Sequence, residues 1–403
     1  MSPVKPSKAL SNLPPYLFVH LLELKRQAKE LGRDIIDLGM GNPDIPTPPH
    51  IVEALAQAVR DPSTHRYPIG RGTPEFLSAA AAYYKKRFNA VVDPSTEAVA
   101  LVGSKEGIGH TFMALADPGD TVIVPTPAYP AHVNAPYISR TKPYWAVLSE
   151  DNGYLMDFGK IPASVLRKAR LMVLNYPNNP TGAVVENKSY LKDALKLAAK
   201  YGFLILYDNP YSDICFDGYR APSILELSGA KKYAVEFNSL SKTYSMAGWR
   251  IGYALGNAQA IGYLAKFKGF IDYGVPTFIQ RAAIAALENG GEEETAKIYE
   301  RRRNAFLRAA RENAGWDIPK VKASMYLWTK IPAWSKTKKS FDFVKNLLLQ
   351  TGVCLSPGTG FGQAGEGYVR ISLVESEERL AEAARRISSL KTLRNKETAA
   401  SAV

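Results

Sequence analysis

The strongest chemical signal in the sequence is a lysine within SLSKTYSMAGWRIGYALG, residues 239–256. Lys242 directly follows an apolar run and is flanked by Ser239, Ser241 and Arg250. A lysine that lies among other cations and is partly removed from water has a lowered pKa, and it can form a Schiff base near neutral pH. Hydroxyls and a guanidinium are also groups that bind a phosphate monoester. The segment therefore predicts a reactive lysine beside a phosphate site.

Three more polar clusters follow apolar runs. Asp208 ends FLILY, where a carboxylate is costly to bury unless it is paired, although a capping aspartate is an alternative. NYPNNPTG, residues 175–182, suits either a tight turn or a binding loop, and its X-Pro pairs allow a cis bond. GSKEG, residues 103–107, opens a helical stretch with Ser104 as its expected N-cap, so free N–H groups there could bind phosphate; an ordinary capped helix is the alternative.

The elements that must position these clusters are short apolar runs bounded by turn residues, at 121–127, 171–177, 203–210, 234–241 and 250–256. Uniformly apolar runs of this length are typical of strands covered on both faces. A helical pattern at 187–201 lies between two of them. Strands that alternate with amphipathic helices indicate βαβ units and a mainly parallel sheet, whose ligands bind beyond the carboxyl ends of the strands.

The chain changes character after about residue 290. GEEETAKIYERRRNAFLRAARENA reads as a long amphipathic helix, and KASMYLWTKI and YVRISLV read as strands of a separate sheet. We therefore expect a large domain over residues 45–290, and a small domain formed by residues 1–44 and 291–403.

Composition narrows the class of protein. The 403 residues carry 51 Lys and Arg against 38 Asp and Glu, a net charge of +13 that favours an acidic partner without identifying it. Only Cys215 and Cys354 are present, and the five histidines form no HExxH pattern, which favours reduced thiols in the cytoplasm and disfavours a metal enzyme. No secretory signal or membrane-spanning run is evident, so we expect no membrane association.

Taken together, the motifs resemble those of one family. SxSKxxxxxGxRxGY, with NPTG upstream and DxxY between them, is similar to the fold-type I, class I/II aminotransferases, which use pyridoxal 5′-phosphate. The resemblance runs from GMGNPD at 39–44 to YVRISL at 368–373. It implies an α/β fold in which a mainly parallel, seven-stranded sheet lies between helices, with a smaller α+β domain beside it.

The resemblance assigns a role to each residue that handles the cofactor ring. It implies that Lys242 binds the cofactor covalently and then moves the proton, and that Asp208 pairs with the pyridine nitrogen so that the ring accepts electrons. Asn179 and Tyr211 resemble the pair that hydrogen-bonds the phenolic oxygen, and Tyr129 resembles the aromatic residue that stacks on the ring.

The phosphate would be bound by a larger group of residues. These are similar to the family's phosphate-binding groups and comprise Ser104, Lys105, Ser239, Ser241 and Arg250. Tyr67 resembles the tyrosine that reaches the phosphate in the neighbouring subunit, which implies a homodimer with shared active sites.

Substrate recognition is implied chiefly for Arg370, which resembles the arginine that binds the α-carboxylate in a bidentate pair; without the resemblance, a strand arginine in a surface ion pair is favoured. Asn179, Gly41 and Tyr16 resemble further substrate contacts. Residues 268–280 contain no arginine like the one that binds the distal carboxylate in aspartate-type enzymes. The sequence looks closest to glutamate–pyruvate (alanine) aminotransferases, with LL-diaminopimelate aminotransferases as the nearest alternative.

Two other functions use similar sequences. Pyridoxal-phosphate-dependent β-lyases share the scaffold and expel a β-substituent instead of transferring the amino group. Non-catalytic relatives join such a domain to a DNA-binding element of about 60 residues. Some 40 residues precede GMGNPD, so we expect no nucleic-acid partner, and an amino acid and a 2-oxo acid as the small-molecule substrates.

Overall fold

A computed structural model describes residues 4–14 and 17–400. The helices are α1 (Lys8–Ser11), α2 (Leu17–Glu30), α3 (Pro49–Arg60), α4 (Pro74–Phe88), α5 (Ser104–Leu115), α6 (Pro130–Ser139), α7 (Ala163–Leu166), α8 (Ser189–Tyr201), α9 (Ala230–Tyr233), α10 (Leu240–Thr243), α11 (Ala258–Ile271), α12 (Thr277–Asn289), α13 (Glu292–Ala309), α14 (Ser340–Thr351) and α15 (Glu377–Ala400). The strands are β1 (Ile36–Asp37), β2 (Ala98–Leu101), β3 (Thr121–Thr126), β4 (Lys142–Val147), β5 (Ala169–Asn175), β6 (Leu204–Asp208), β7 (Ala234–Ser239), β8 (Gly252–Gly256), β9 (Tyr326–Lys330), β10 (Val353–Cys354), β11 (Ser356–Pro357) and β12 (Tyr368–Ser372).

Seven strands form the central sheet in the order β2-β8-β7-β6-β5-β3-β4. All neighbouring pairs are parallel except those of β8, which runs antiparallel to both β2 and β7. The expected α/β fold with a mainly parallel, seven-stranded sheet is confirmed. Each of the five apolar runs identified in the sequence overlaps one of these strands.

Helices cover both faces of this sheet, as the uniformly apolar strands predict. Along β5, Leu171 and Val173 belong to one buried cluster, whereas Met172 and Leu174 belong to another. Alternate side chains of a strand point to opposite faces, so each face of the sheet has its own apolar core.

A third buried cluster joins the amino-terminal segment to the carboxyl-terminal region. It contains Leu21 and Leu38 together with residues of α13, α14, α15 and the sheet β11-β12-β9. The strand β1 pairs in parallel with β10, which places the segment after β1 beside the end of β12. The division of the chain at residues 45 and 290 stays a prediction.

None of the helices within the described ranges combines the length and the apolar composition needed to cross a bilayer.

Candidate active site

The polar clusters predicted from the sequence meet at one edge of the central sheet. The neighbouring strands β5, β6 and β7 end at Asn175, Asp208 and Ser239, and parallel strands place their carboxyl ends side by side. The antiparallel strand β8 begins at this same edge, which brings Arg250 there as well. A cavity of about 310 Å³ opens at this edge.

Twelve residues predicted for the site line this cavity. They are Gly41, Ser104, Lys105, Tyr129, Asn179, Asp208, Tyr211, Ser239, Ser241, Lys242, Arg250 and Arg370. Tyr67 is not among the lining residues, and its side chain is 88% exposed in the single chain. The remaining predicted contact, Tyr16, lies outside the described residues.

Lys242 lies on α10, the single helical turn that follows β7. Its Nζ donates a hydrogen bond to the carbonyl oxygen of Gly41 over 2.6 Å. Burial lowers the pKa of Lys242, and the positive charges of Arg370 and Arg250 lower it further, although Tyr326 acts in the opposite direction. The lowered pKa agrees with the prediction from the sequence, and it favours the neutral, nucleophilic amine.

A group of hydroxyl, guanidinium and free N–H groups surrounds the amino-terminal end of α5. The helix begins at Ser104, and Gly103 occupies the N-cap position that we expected for Ser104. A Cβ at Gly103 would lie 2.5 Å from Nη2 of Arg250, so the glycine lets the guanidinium approach the helix end. Because Ser239 and Ser241 line the same cavity, the arrangement suits a phosphate dianion.

Asp208 is buried at the end of β6, with 3% of its surface exposed. The fully buried His132 of α6 contacts Oδ2 of Asp208 through Nε2 at 2.9 Å, and since a carboxylate only accepts, Nε2 carries the proton. The other carboxylate oxygen, Oδ1, has no hydrogen-bond partner among the described residues. Sequence reasoning missed His132, and a histidine three residues after Tyr129 was the available signal.

The NYPNNPTG loop contributes Asn179, which bridges two other residues predicted for the site, Tyr211 and Arg370. Its Nδ2 donates to the hydroxyl of Tyr211 at 3.3 Å, and its Oδ1 accepts from Nη1 of Arg370 at 3.0 Å. Asn175 fixes this loop, because its side chain accepts from the backbone N–H of Asn179 and donates to the carbonyl oxygen of Asp208. The peptide bonds Tyr176–Pro177 and Asn179–Pro180 are cis.

Arg370 lies in the middle of β12 and is 4% exposed. Besides Asn179, its guanidinium donates to the carbonyl oxygen of Gly39 at 2.9 Å and to the hydroxyl of Ser356 at 3.3 Å. A buried, planar guanidinium held by neutral acceptors is suited to bind a carboxylate. The surface ion pair considered from the sequence does not describe this position.

A separate polar cluster lies further along α5 from its amino-terminal end. Ligand atoms of Glu106, His110 and Asp272 lie close enough together to hold a metal ion. The ammonium group of the buried Lys268 contacts both carboxylates at 2.9 Å, and it therefore balances their charge.

The cavity fits pyridoxal 5′-phosphate, the cofactor implied by the resemblance. The free Oδ1 of Asp208 can accept from a protonated ring nitrogen, and the end of α5 offers the phosphate donors. Lys242 lies in the same cavity with an amine able to bind the aldehyde.

Comparison with known proteins gives the same assignment. The family model "Aminotransferase class I and II" matches residues 33–387. The chain is 43% identical to an LL-diaminopimelate aminotransferase of Dehalococcoides mccartyi, over 96% of this chain and 100% of that one. It is 42% identical to the glutamate-pyruvate aminotransferase AlaC of Escherichia coli, over 94% and 92% of the two chains.

Solved structures show the same fold. Substrate-bound BacF from Bacillus subtilis superposes with a TM-score of 0.91 at 37% identity, covering 97% of this chain and 98% of that one. An aspartate aminotransferase mutant of Thermus thermophilus gives a TM-score of 0.88 at 26% identity, covering 96% and 99%. The chain therefore belongs to the class I and II aminotransferases, which are enzymes that depend on pyridoxal 5′-phosphate.

Proposed function

We propose that the enzyme exchanges an amino group between LL-diaminopimelate and a 2-oxo acid. Several relatives at 41–45% identity carry the name LL-diaminopimelate aminotransferase, and their matches span nearly all of both chains. These matches support an LL-diaminopimelate aminotransferase, the alternative that we considered from the sequence, better than they support a glutamate–pyruvate aminotransferase. Glutamate with pyruvate is the second candidate, because the match to AlaC is about as strong.

Lys242, Asp208 and Arg370 line the same cavity, and this arrangement is the main support for the proposed reaction. When bound, the cofactor supplies an electron sink for the carbanion that forms at the substrate Cα. Arg370 binds the α-carboxylate and thereby orients the Cα–H bond. Lys242, whose pKa is lowered, takes the proton from Cα as a neutral amine and returns it as an ammonium group.

The other residues that line the cavity would hold the cofactor and adjust the electron density of its ring. Asp208, supported by His132, holds a negative charge where a ring nitrogen must stay protonated. When the cofactor is bound, Asn179 and Tyr211 would donate to its phenolic oxygen, for which the Tyr211 hydroxyl must turn away from Tyr326, and Tyr129 would stack on the ring. Ser104, Lys105, Ser239, Ser241 and Arg250 would bind the phosphate. Gly41 lies next to the substrate, because its carbonyl oxygen contacts Lys242.

We further propose that the enzyme is a homodimer in which Tyr67 acts in the partner's site. Tyr67 packs against Tyr273 with ring centroids 5.4 Å apart, and the nearby Phe270 is 83% exposed. Ile69 and Ile271 extend this surface with 59% and 60% exposure. Apolar side chains exposed to this extent mark an interaction surface, and a second copy of the chain would bury them.

A half-reaction screen tests the proposed substrate. Cofactor-loaded enzyme is mixed with LL-diaminopimelate, L-glutamate or L-alanine alone, and the absorbance of the bound cofactor is followed as it converts to its amine form. We expect LL-diaminopimelate to convert the cofactor at least about tenfold faster, per unit concentration, than alanine does.

Two outcomes of this screen would count against the proposal. Faster conversion by alanine, with pyruvate formed, would favour the glutamate–pyruvate pair. Release of pyruvate and ammonia from a β-substituted alanine without any 2-oxo acid acceptor would favour a β-lyase.

A further inference from the structure

Tyr326 occupies the centre of the site, although neither the motifs nor the family resemblance assigned it a role. It is the first residue of β9, it is 2% exposed, and it lines the cavity beside Lys242 and Arg370. Its strand pairs with β12, so that Tyr326 and Arg370 lie on neighbouring strands. Tyr326 is therefore held by the sheet β11-β12-β9 of the third buried cluster, and it faces the residues proposed to bind the cofactor and the substrate.

The ring of Tyr326 packs against the guanidinium of Arg370. The distance from the guanidinium carbon to the ring centroid is 4.2 Å, and the ring of Phe361 lies 4.6 Å from this same carbon. Two aromatic contacts favour the charged group and limit its rotation. Consequently, the nitrogen atoms of Arg370 keep the orientation in which they can meet a carboxylate.

The hydroxyl of Tyr326 makes the second connection. The hydroxyl of Tyr211 donates to it over 3.4 Å, and Tyr211 itself accepts from Asn179. The hydroxyl also explains the glycine at position 41, because a Cβ there would lie 2.0 Å from the oxygen of Tyr326. The phenol thus lies against the segment whose carbonyl oxygen contacts Lys242.

The charges around this hydroxyl affect its protonation. The titratable groups that face it are Lys242 of α10, Arg370 of β12 and Tyr211, and the buried Tyr299 of α13 also interacts electrostatically with Tyr326. Burial would raise the pKa of Tyr326, but the charges of Lys242 and Arg370 and the hydrogen bond from Tyr211 bring that pKa below its ordinary value. In return, Tyr326 raises the pKa of Lys242.

We propose that Tyr326 is a positioning residue with two separable parts: its ring orients Arg370 for carboxylate binding, and its hydroxyl, which lies against the Gly41 segment that Lys242 Nζ contacts, stabilises the protonated form of that nitrogen. This inference rests on the proposed roles of Lys242 and Arg370. The two parts can be tested apart, because Tyr326→Phe keeps the ring and removes the hydroxyl, whereas Tyr326→Leu removes both.

Two measurements on cofactor-loaded enzyme test the role of the Tyr326 ring and the role of its hydroxyl separately. Calorimetric titration with glutarate, an unreactive dicarboxylate, reports binding at Arg370. The pH dependence of the bound cofactor's absorbance reports the protonation of the Lys242 nitrogen. Tyr253→Phe is the matched control, because Tyr253 is a buried tyrosine of β8 that does not line the cavity.

We expect Tyr326→Leu to weaken glutarate binding about tenfold, and Tyr326→Phe to change it less than about twofold. We expect Tyr326→Phe to move the absorbance midpoint to lower pH, since the hydroxyl that favours the protonated nitrogen is gone. Unchanged glutarate binding in Tyr326→Leu would overturn the role of the ring. An absorbance midpoint in Tyr326→Phe that matches the midpoint in Tyr253→Phe would overturn the role of the hydroxyl.

Arg370→Lys separates failure of this inference from failure of the proposed function. If Arg370→Lys weakens glutarate binding and Tyr326→Leu does not, only the role of Tyr326 is wrong. If Arg370→Lys binds glutarate as the unaltered enzyme does, the carboxylate role of Arg370 is wrong, and the inference falls with it.

Discussion

Nη1 of Arg370 donates to Oδ1 of Asn179 over 3.0 Å, and this contact joins the residue proposed to bind the substrate to one proposed to bind the cofactor. Arg370 comes from β12, whereas Asn179 comes from the loop after β5, 191 residues earlier in the chain. The amide group of Asn179 also donates to Tyr211. A carboxylate bound at Arg370 would therefore contact a guanidinium that is itself hydrogen-bonded to Asn179, a residue proposed to bind the cofactor.

Arg370→Lys should raise the KM for the amino acid substrate about 10- to 100-fold, with a smaller effect on kcat. Lysine keeps the charge but loses the paired N–H groups, and hydrogen bonds to charged groups contribute roughly 1.5–3 kcal/mol. Steady-state kinetics with saturating 2-oxo acid measures the change. Arg379→Lys is a matched control, because Arg379 pairs with Asp34 outside the cavity. An equal KM in Arg370→Lys and the control would contradict the proposed role.

Asp208→Asn should lower kcat at least about 100-fold while the fold is retained. The substitution preserves the shape of the side chain and its contact with His132 but removes the charge that keeps the ring nitrogen protonated. Stopped-flow measurement of the half-reaction isolates the proton-transfer stage, and circular dichroism checks the fold. A variant that retains more than about a tenth of the rate would argue against an electrostatic role for Asp208.

Glu236 should make the stability of the protein depend on pH. Burial raises the pKa of Glu236 from 4.5 to about 7, although hydrogen bonds from Ser223, Asn209 and Tyr84 oppose the rise. The native state then holds the proton more tightly than the unfolded chain, so this stabilisation is complete below about pH 4.5 and disappears as the pH rises through about 7.

The comparison with Glu236→Gln isolates that effect. Between pH 5 and pH 8, the free energy of unfolding of the unaltered protein should fall by about 1–3 kcal/mol more than that of the glutamine variant. Chemical denaturation at several pH values measures both. Parallel pH profiles for the two proteins would show that Glu236 does not titrate in this range.

A hybrid dimer tests whether Tyr67 acts in the partner's site. Tyr67→Ala and Lys242→Ala chains, each poorly active alone, are mixed under conditions that allow subunit exchange. If Tyr67 acts across the interface, each hybrid contains one site with both native residues, and activity rises above that of either parent. If no activity is regained although hybrid dimers form, the proposed exchange of Tyr67 is wrong.

Much of the fold could be predicted from the sequence because buried strands are short, apolar and bounded by turn residues. The runs that overlap β3, β5, β6, β7 and β8 all have this form. Asp208 is the last residue of β6, and Lys242 lies three residues after the end of β7. The antiparallel direction of β8 has no such signal, because pairing direction depends on how the chain returns to the sheet.

Residues that act on the site from other elements could not be predicted in this way. His132 and Tyr326 lie 76 and 115 residues from Asp208 and Tyr211, the residues they contact. A histidine near the start of a helix and a tyrosine in an apolar strand are ordinary core residues in a sequence. Only the packing of α6 and β9 against the cavity distinguishes them.

The site of cofactor attachment decides whether Lys242 is the reactive lysine. Borohydride reduction of the cofactor-loaded enzyme, followed by peptide mapping, should place the pyridoxyl group on Lys242, whose Nζ lies in the cavity with a lowered pKa. Lys242→Ala should retain no reduced cofactor and no transamination, whereas Lys268→Ala, altered at a buried lysine that does not line the cavity, should keep the label on Lys242. A label on a different lysine of the unaltered enzyme, or turnover by Lys242→Ala, would contradict the account.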